Sequence, residues 1–416
     1  MNEQEHFKFA IVGHVDHGKS TLIGRLFYDT GSLPEGKMEE LKKTCDELGK
    51  DIEFGFIMDH LQEEREQGVT IDTAQAFFKT DKRHYVIIDA PGHKEFTKNM
   101  ITGASQAEAA LLIVDADEGV QEQTKRHAYI LSMLGLKQVI VVMNKMDLVE
   151  YKEERFKEVE KNLLEFLGSL NIKPSYIIPI SAKLGDNIAK KSENMSWYTG
   201  KTVLEALDTF ESLASLSNAP LRYPIQDVYK FDDKRILAGR VEAGILKKGN
   251  RLLFLPSNKE STITTIEDMN GEVESVEAGK STGITIEHPL FVERGEIACD
   301  PDAEKPTVTT RFRGKVFWMS KLPFNKSEKI TLKCATQEVE CVMEKIEKKL
   351  DSSTLAVLEE DASEIKEWEV GEIVFKTEAP VVIEDFNETP ELGRFVLVKG
   401  EDVCAGGIVT HKDLEN

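Results

Sequence analysis

The sequence predicts an α/β domain, with a mostly parallel sheet and helices on both faces, followed by two all-β barrel domains. Three observations predict it. Short apolar runs alternate with amphipathic helical stretches through the first half. After Tyr223 the pattern changes to short alternating strands between Gly, Asn and Asp turns. A break rich in Pro and Asp, at 300–306, divides that second part in two. At 416 residues the chain exceeds one ordinary core, and the expected boundaries are 1–215, 220–303 and 306–416.

The runs at 7–12, 85–89, 109–115, 139–144 and 176–180 are short, apolar and often β-branched, as strands buried on both faces should be. Between them, 124–134 and 153–167 carry helical spacing, and 73–80 adds an antiparallel edge strand. A polar insertion at 31–67 separates the first helix from that edge, with helical spacing over 37–48. Long charged insertions in a compact domain are usually functional. The last helix of this half is expected over 202–214, with a linker at 215–220. Lys248-Gly-Asn250 and Asn270-Gly271 mark turns between the later strands.

A net charge of −21 argues weakly against a nucleic-acid partner, because phosphates attract Lys and Arg. Five scattered cysteines without a CxxC pair fit a reduced cytoplasmic compartment and no structural zinc. No stretch reaches the ~20 apolar residues of a membrane span, and the start has no signal-peptide pattern, so no membrane association is expected.

Chemistry concentrates in the first half. Gly13-His-Val15-Asp16-His17-Gly18-Lys19-Ser20, followed by Thr21, matches GxxxxGK[ST] between a predicted strand and helix. Its backbone N–H groups and the helix N-terminus would cradle phosphates. Lys19 would reach the β- and γ-phosphates, and the Ser20 hydroxyl would ligate Mg²⁺. In Asn144-Lys145-Met-Asp147 the carboxylate can accept from N1–H and the 2-amino group of guanine, which adenine cannot supply. Asn144 would brace the loop and Lys145 would pack its stem on the ring. Ser181-Ala182-Lys183 would add a backbone N–H for O6 and a second stem. Asp89-Ala-Pro-Gly92-His93 completes the set: Asp89 on Mg²⁺ through water, the Gly92 N–H on the γ-phosphate, and His93 orienting the attacking water. GTP or GDP with Mg²⁺ is the implied cofactor. The chain has no GxSxG elbow, HExxH helix or Cys/His cluster. His84, His127, His288 and His411 are most simply surface or structural, and the acidic runs at 359–361 and 364–369 a solvated face.

These motifs, in order and spacing, resemble those of the translation-factor GTPases that carry aminoacyl-tRNA, and equally the GTPase subunit of heterodimeric sulfate adenylyltransferase. The resemblance implies Thr70 as a further Mg²⁺ ligand, and Val15 and Val69 as an apolar gate beside His93. Arg126 within Gln123-Thr-Lys-Arg-His127, Ser196-Trp-Tyr-Thr-Gly200, the 59–72 segment and Trp318-Met319 are more similar to the sulfurylase subunit. The P-loop spelling, with His14 and His17, is that of the elongation factors. The leading expectation is therefore a GTPase driving adenylylsulfate formation on a small ATP-binding partner subunit. The alternatives are an elongation factor working with aminoacyl-tRNA and ribosome, and a regulatory GTPase scaffold.

Overall fold

The computed structural model describes residues 6–33, 35–47, 54, 75–89, 107–212, 216–231, 234–268, 271–288 and 290–411. The chain divides into two compact units, Met1–Ser212 and Leu213–Asn416.

In the first unit, strands β1 (His6–Gly13), β2 (Gln75–Lys79), β3 (His84–Asp89), β4 (Ala109–Asp115), β5 (Val139–Asn144) and β6 (Tyr176–Pro179) form one sheet in the order β2-β3-β1-β4-β5-β6. All neighbours are parallel except β2, which runs antiparallel to β3 at the edge. Helices α1 (Lys19–Asp29), α2 (Lys37–Glu47), α3 (Glu122–Met133), α4 (Glu153–Ser169) and α5 (Val203–Leu207) accompany it. Phe7, Phe9 and Ile11 of β1 share a core with Leu22 and Leu26 of α1, Leu41 of α2 and Ala206 of α5. Ala10 and Val12, equally buried, alternate to the opposite face, as a strand covered on both sides requires.

The last helix is shorter than its 202–214 expectation. Thr202 caps it through a reciprocal box with Glu205, but it ends at Leu207. Asp208 is then drawn to the sheet, accepting from Thr80 Oγ1 and the Tyr85 hydroxyl at 2.8 Å each. Phe210 follows and stacks on Phe7 at 5.5 Å, so tertiary contacts override helical spacing.

The second unit holds two closed sheets. Arg251–Leu255 pairs with both Lys259–Asp268 and Ile297–Cys299, which closes the first barrel. Ile330–Cys334 pairs with both Gln337–Asp351 and Arg394–Lys399, which closes the second. Leu253, Leu255, Ile297 and Cys299 of one barrel pack with Val382 and Leu392 of the other. All five cysteines are buried. Among the described residues no helix is long and apolar enough to cross a membrane.

Candidate nucleotide site

β1 ends at Gly13 and α1 begins at Lys19, so the intervening loop must turn within five residues. It does so through left-handed backbone at Asp16 (φ 62) and Gly18 (φ 93). The crowding is as demanding as the dihedrals: a Cβ on Gly18 would lie 2.3 Å from Asn144 Nδ2, and one on Gly13 2.3 Å from Ile113 Cγ2. Helix α1 has no side-chain cap and no acidic residue in its first turn, so its first N–H groups and positive dipole end are kept for the loop. Lys19 folds back over the loop and donates to the carbonyls of Gly13 and His14 at 2.9 Å each. Burial lowers its pKa, against the opposing pull of the Asp89 and Asp16 carboxylates. Asp89, at the end of β3, therefore sits within electrostatic reach of the lysine.

The base-reading motifs meet this loop through one side chain. Asn144 donates from Nδ2 to the His17 carbonyl and accepts at Oδ1 from the Ala182 N–H, both at 2.9 Å. One amide thus ties three loops together. Lys145 takes left-handed backbone (φ 62), and its ammonium lies 2.7 Å from the buried Asp115 Oδ2, which leaves its stem to cover a ring. Asp147 is half-buried at the same mouth. After Ser181 the chain turns back tightly, with the Gly185 N–H donating to the Ser181 carbonyl at 2.7 Å.

Ser20, Thr21 and Val15 are half-buried around the loop, Asp16 and Lys183 are exposed, and Ser181 and Ala182 are buried. His17 is fully buried: its ring faces inward, Nδ1 accepting from the Asp115 N–H at 3.3 Å and Nε2 lying 3.4 Å from Glu118. Its contribution to a ligand is therefore its backbone. Thr70, Val69, Gly92 and His93 lie outside the described residues.

A buried polar cluster lies close to the loop around His127, which the sequence marks as surface or structural. His127 is buried with both ring nitrogens lacking a hydrogen-bond partner, and Gln123 Nε2, Thr124 Oγ1 and His14 Nδ1 also lack one. Burial, then electrostatic interaction with Lys19, His14, His17 and Arg126, pushes the His127 pKa down to about 3. The available signal was the spacing of Gln123, Thr124 and His127 on one helical face.

The cradle fits a nucleotide's phosphates: an uncapped helix N-terminus, a lysine over the loop, and two glycines whose missing side chains let the loop close against Ile113 and Asn144. Mg²⁺ also fits. The Ser20 hydroxyl opens α1 and Asp89 ends β3, both hard oxygen donors. Among the described residues no group of three or more His, Cys, Asp or Glu could hold a metal by itself.

Residues 4–213 match the family described as the elongation factor Tu GTP binding domain, and residues 311–410 the GTP-eEF1A C-terminal domain-like family. Relatives named elongation factor 1-alpha match over nearly the whole length. That of Methanoculleus marisnigri is 42% identical, covering 97% of each chain. That of Methanopyrus kandleri is 41% identical over 97% of each, and that of Thermoplasma acidophilum 39% over 100% of this chain and 99% of its own. A crystal structure of sup35 complexed with GDP is 27% identical, covers 99% of this chain and 95% of that one, and aligns with a TM-score of 0.45.

These relatives overturn the sulfate adenylyltransferase expectation, and with it the small ATP-binding partner subunit. Of the features that favoured it, the 59–72 segment lies outside the described residues, and the others have roles within the fold. Trp318 is in the second barrel's core and donates from Nε1 to the Leu322 carbonyl at 3.1 Å, while Met319 is buried next to it. Trp197 packs on Phe156, and Arg126 pairs with Glu122 at 2.5 Å. Side chains of this kind answer to the fold around them and say nothing about a partner.

Proposed function

We propose, since this chain belongs to the elongation factor Tu and elongation factor 1-alpha family of translation GTPases, that it is an elongation factor which carries aminoacyl-tRNA in its GTP form and releases it on hydrolysis at the ribosome. The supporting observation is full-length likeness: relatives about 40% identical extend through both barrels as well as the GTP-binding domain. A GTPase domain alone would fit many switches; likeness through both barrels supports this one. A cytoplasmic location follows from that role.

The family binds GTP and GDP with Mg²⁺, and the chain's own residues divide the work. Lys19 and the first amides of α1 hold the phosphates and offset their charge. Asp147 accepts from N1–H and the 2-amino group of guanine, and the turn at Ser181–Lys183 faces O6. Asn144 keeps these loops in register through its two bonds. Ser20, Thr70 and Asp89 would hold the Mg²⁺ ion, which would supply charge neutralisation to the phosphates. His93 orients the water, with Val15 and Val69 as its gate, and Thr70 and Gly92 respond to the γ-phosphate. Loss of that phosphate frees two segments at once, which shifts the population of states a partner can bind.

A net charge of −21 means that tRNA must be met by a local surface. Filter or gel-shift binding with charged tRNA tests the reading. A salt-sensitive complex that forms with GTP and weakens with GDP, together with GTP turnover raised by ribosomes, is expected. No difference between the GTP and GDP forms would overturn it.

A further inference from the structure

Building on the reading of residues 181–183 as the loop over guanine, we propose that Arg25 is a positioning residue for base recognition, clamping the turn after Ser181 to the helix that carries the phosphate loop. Arg25 lies on α1 six residues after Lys19, about 9 Å along the axis at ~1.5 Å per residue. Its guanidinium lies against the backbone of Gly185. A Cβ there would sit 2.2 Å from Nη2, 2.3 Å from Cζ and 2.7 Å from Nη1. Gly185 also has φ +86, so both its conformation and its close approach demand glycine.

The guanidinium is held in that position from its other sides. Arg25 Nε donates to both carboxylate oxygens of Asp29, one turn on, at 3.0 Å each. The rings of Phe54 and Tyr28 lie 5.2 and 5.3 Å from Cζ, within cation–π range. Helix α1 itself is pressed on Phe54, since a Cβ on Gly24 would lie 2.3 Å from the Phe54 carbonyl oxygen. The plane of Arg25 is thus fixed by a carboxylate and two rings, and the turn rests on it.

The opposite side of the turn is tied to the Asp147 loop. Tyr151 donates its hydroxyl to Asp186 Oδ2 at 3.2 Å, Ser192 donates to Asp186 Oδ1 at 2.5 Å, and the Trp197 indole N–H donates to the Tyr151 carbonyl at 2.9 Å. Arg25 therefore links the turn to α1, and Tyr151 links it to the residues after Asp147. Removing Arg25 loosens the O6 side of the base site and leaves the Asp147 side braced. Lys cannot substitute, because an ammonium has no flat face to lay on a glycine.

Nucleotide binding by the full chain, measured with three diphosphates, separates these sides. GDP is the reference, 6-thio-GDP alters only the O6 position, and IDP lacks only the 2-amino group. For Arg25→Ala, GDP release should quicken and preference for GDP over 6-thio-GDP should fall about 3- to 10-fold, the worth of one neutral hydrogen bond. Preference for GDP over IDP should hold. Arg25→Lys, which keeps the Asp29 pair, should show the same selective loss and supplies the measurement if the alanine variant folds poorly. Unchanged GDP release, or an equal loss on all three nucleotides, would overturn the role of Arg25. Asp147→Asn is the separate check on the underlying reading: it should lower the preference for GDP over IDP, and if it does not, guanine recognition by this site fails as a whole.

Discussion

The two units treat their buried polar groups differently. In the barrel unit, Arg222 and Glu384 pair at 2.5 Å with both side chains almost fully buried. Lys349 is shared between Glu359 and Glu369 at 3.1 and 3.4 Å, and the Gln337 side chain exchanges two hydrogen bonds with the Val382 backbone at 2.7 and 2.8 Å. The barrel unit still leaves a buried atom without a hydrogen-bond partner on each of Thr336, Ser352 and Glu384, whereas in the first unit His14, His17, Gln123, Thr124 and His127 each have one, gathered around the phosphate loop. An unmet buried polar group costs about 1–3 kcal/mol. Such a concentration belongs at a working site, where stability gives way to chemistry, while the barrels use their pairs to hold two sheets as one unit.

The largest expected effect lies at the site itself. Asp147→Asn removes the acceptor for both N1–H and the 2-amino group, and a site built around such bonds discriminates by roughly 10⁴-fold. Calorimetric titration with GDP and ADP should show the preference for guanine falling by roughly 10³-fold or more. An unchanged preference would remove the functional contrast between the units.

Next comes the barrel pair. Arg222→Ala would leave Glu384 as an uncompensated buried charge, at about 3–5 kcal/mol. The Glu384 Oε2 already lacks a hydrogen-bond partner, so no neighbour stands ready to take over. Urea denaturation should show this loss with GDP affinity unchanged. An Arg222→Met, Glu384→Leu double variant should recover most of it, because an apolar pair needs no desolvation of charge. A double variant no better than the single one would mean that the pair stabilises the barrels by more than it costs.

His127 sharpens the contrast by pH. Its folded pKa, about 3, lies below the ordinary 6.5, so the unfolded chain binds the extra proton first. The stability that this neutral histidine permits is complete above pH 6.5 and is lost as pH falls toward 3, at about 1.4 kcal/mol per pH unit. Stability measured from pH 7 to 4.5 should fall less steeply in His127→Leu than in the parent chain. Parallel profiles would mean that His127 is not held neutral.

The sheet and the phosphate loop were legible because their signals are local. A short apolar run, a glycine pair and a lysine at fixed spacing specify β1, the loop and α1 without reference to distant residues. The contact of Arg25 with Gly185 joins residues 160 apart and leaves no periodic trace. His17 belonged to a motif, but the direction of its ring depends on the Asp115 backbone. Barrel closure was equally hidden, because the sequence marks Ile330–Cys334 as a strand without naming its two partners. The choice between two related families failed for the same reason: Trp318 and Met319 describe a core, and a core does not specify its ligand.

The smallest effect concerns a helix where local and tertiary signals meet. Thr202 accepts from the Glu205 N–H at 3.3 Å while Glu205 accepts from the Thr202 N–H at 2.9 Å, and the helix they open is only five residues long. A helix this short cannot sustain itself, so its cap and the buried Val203, Ala206 and Leu207 must both contribute. Thr202→Ala should cost about 1 kcal/mol in thermal or urea unfolding, and Thr202→Ser should restore most of it. The loss should appear without any change in GDP affinity, because Asn144, Arg25 and Tyr151 hold the nucleotide loops directly. If Thr202→Ala weakened GDP binding instead, the core beneath β1 would be coupled to the phosphate loop, and stability and chemistry would not be separable within the first unit.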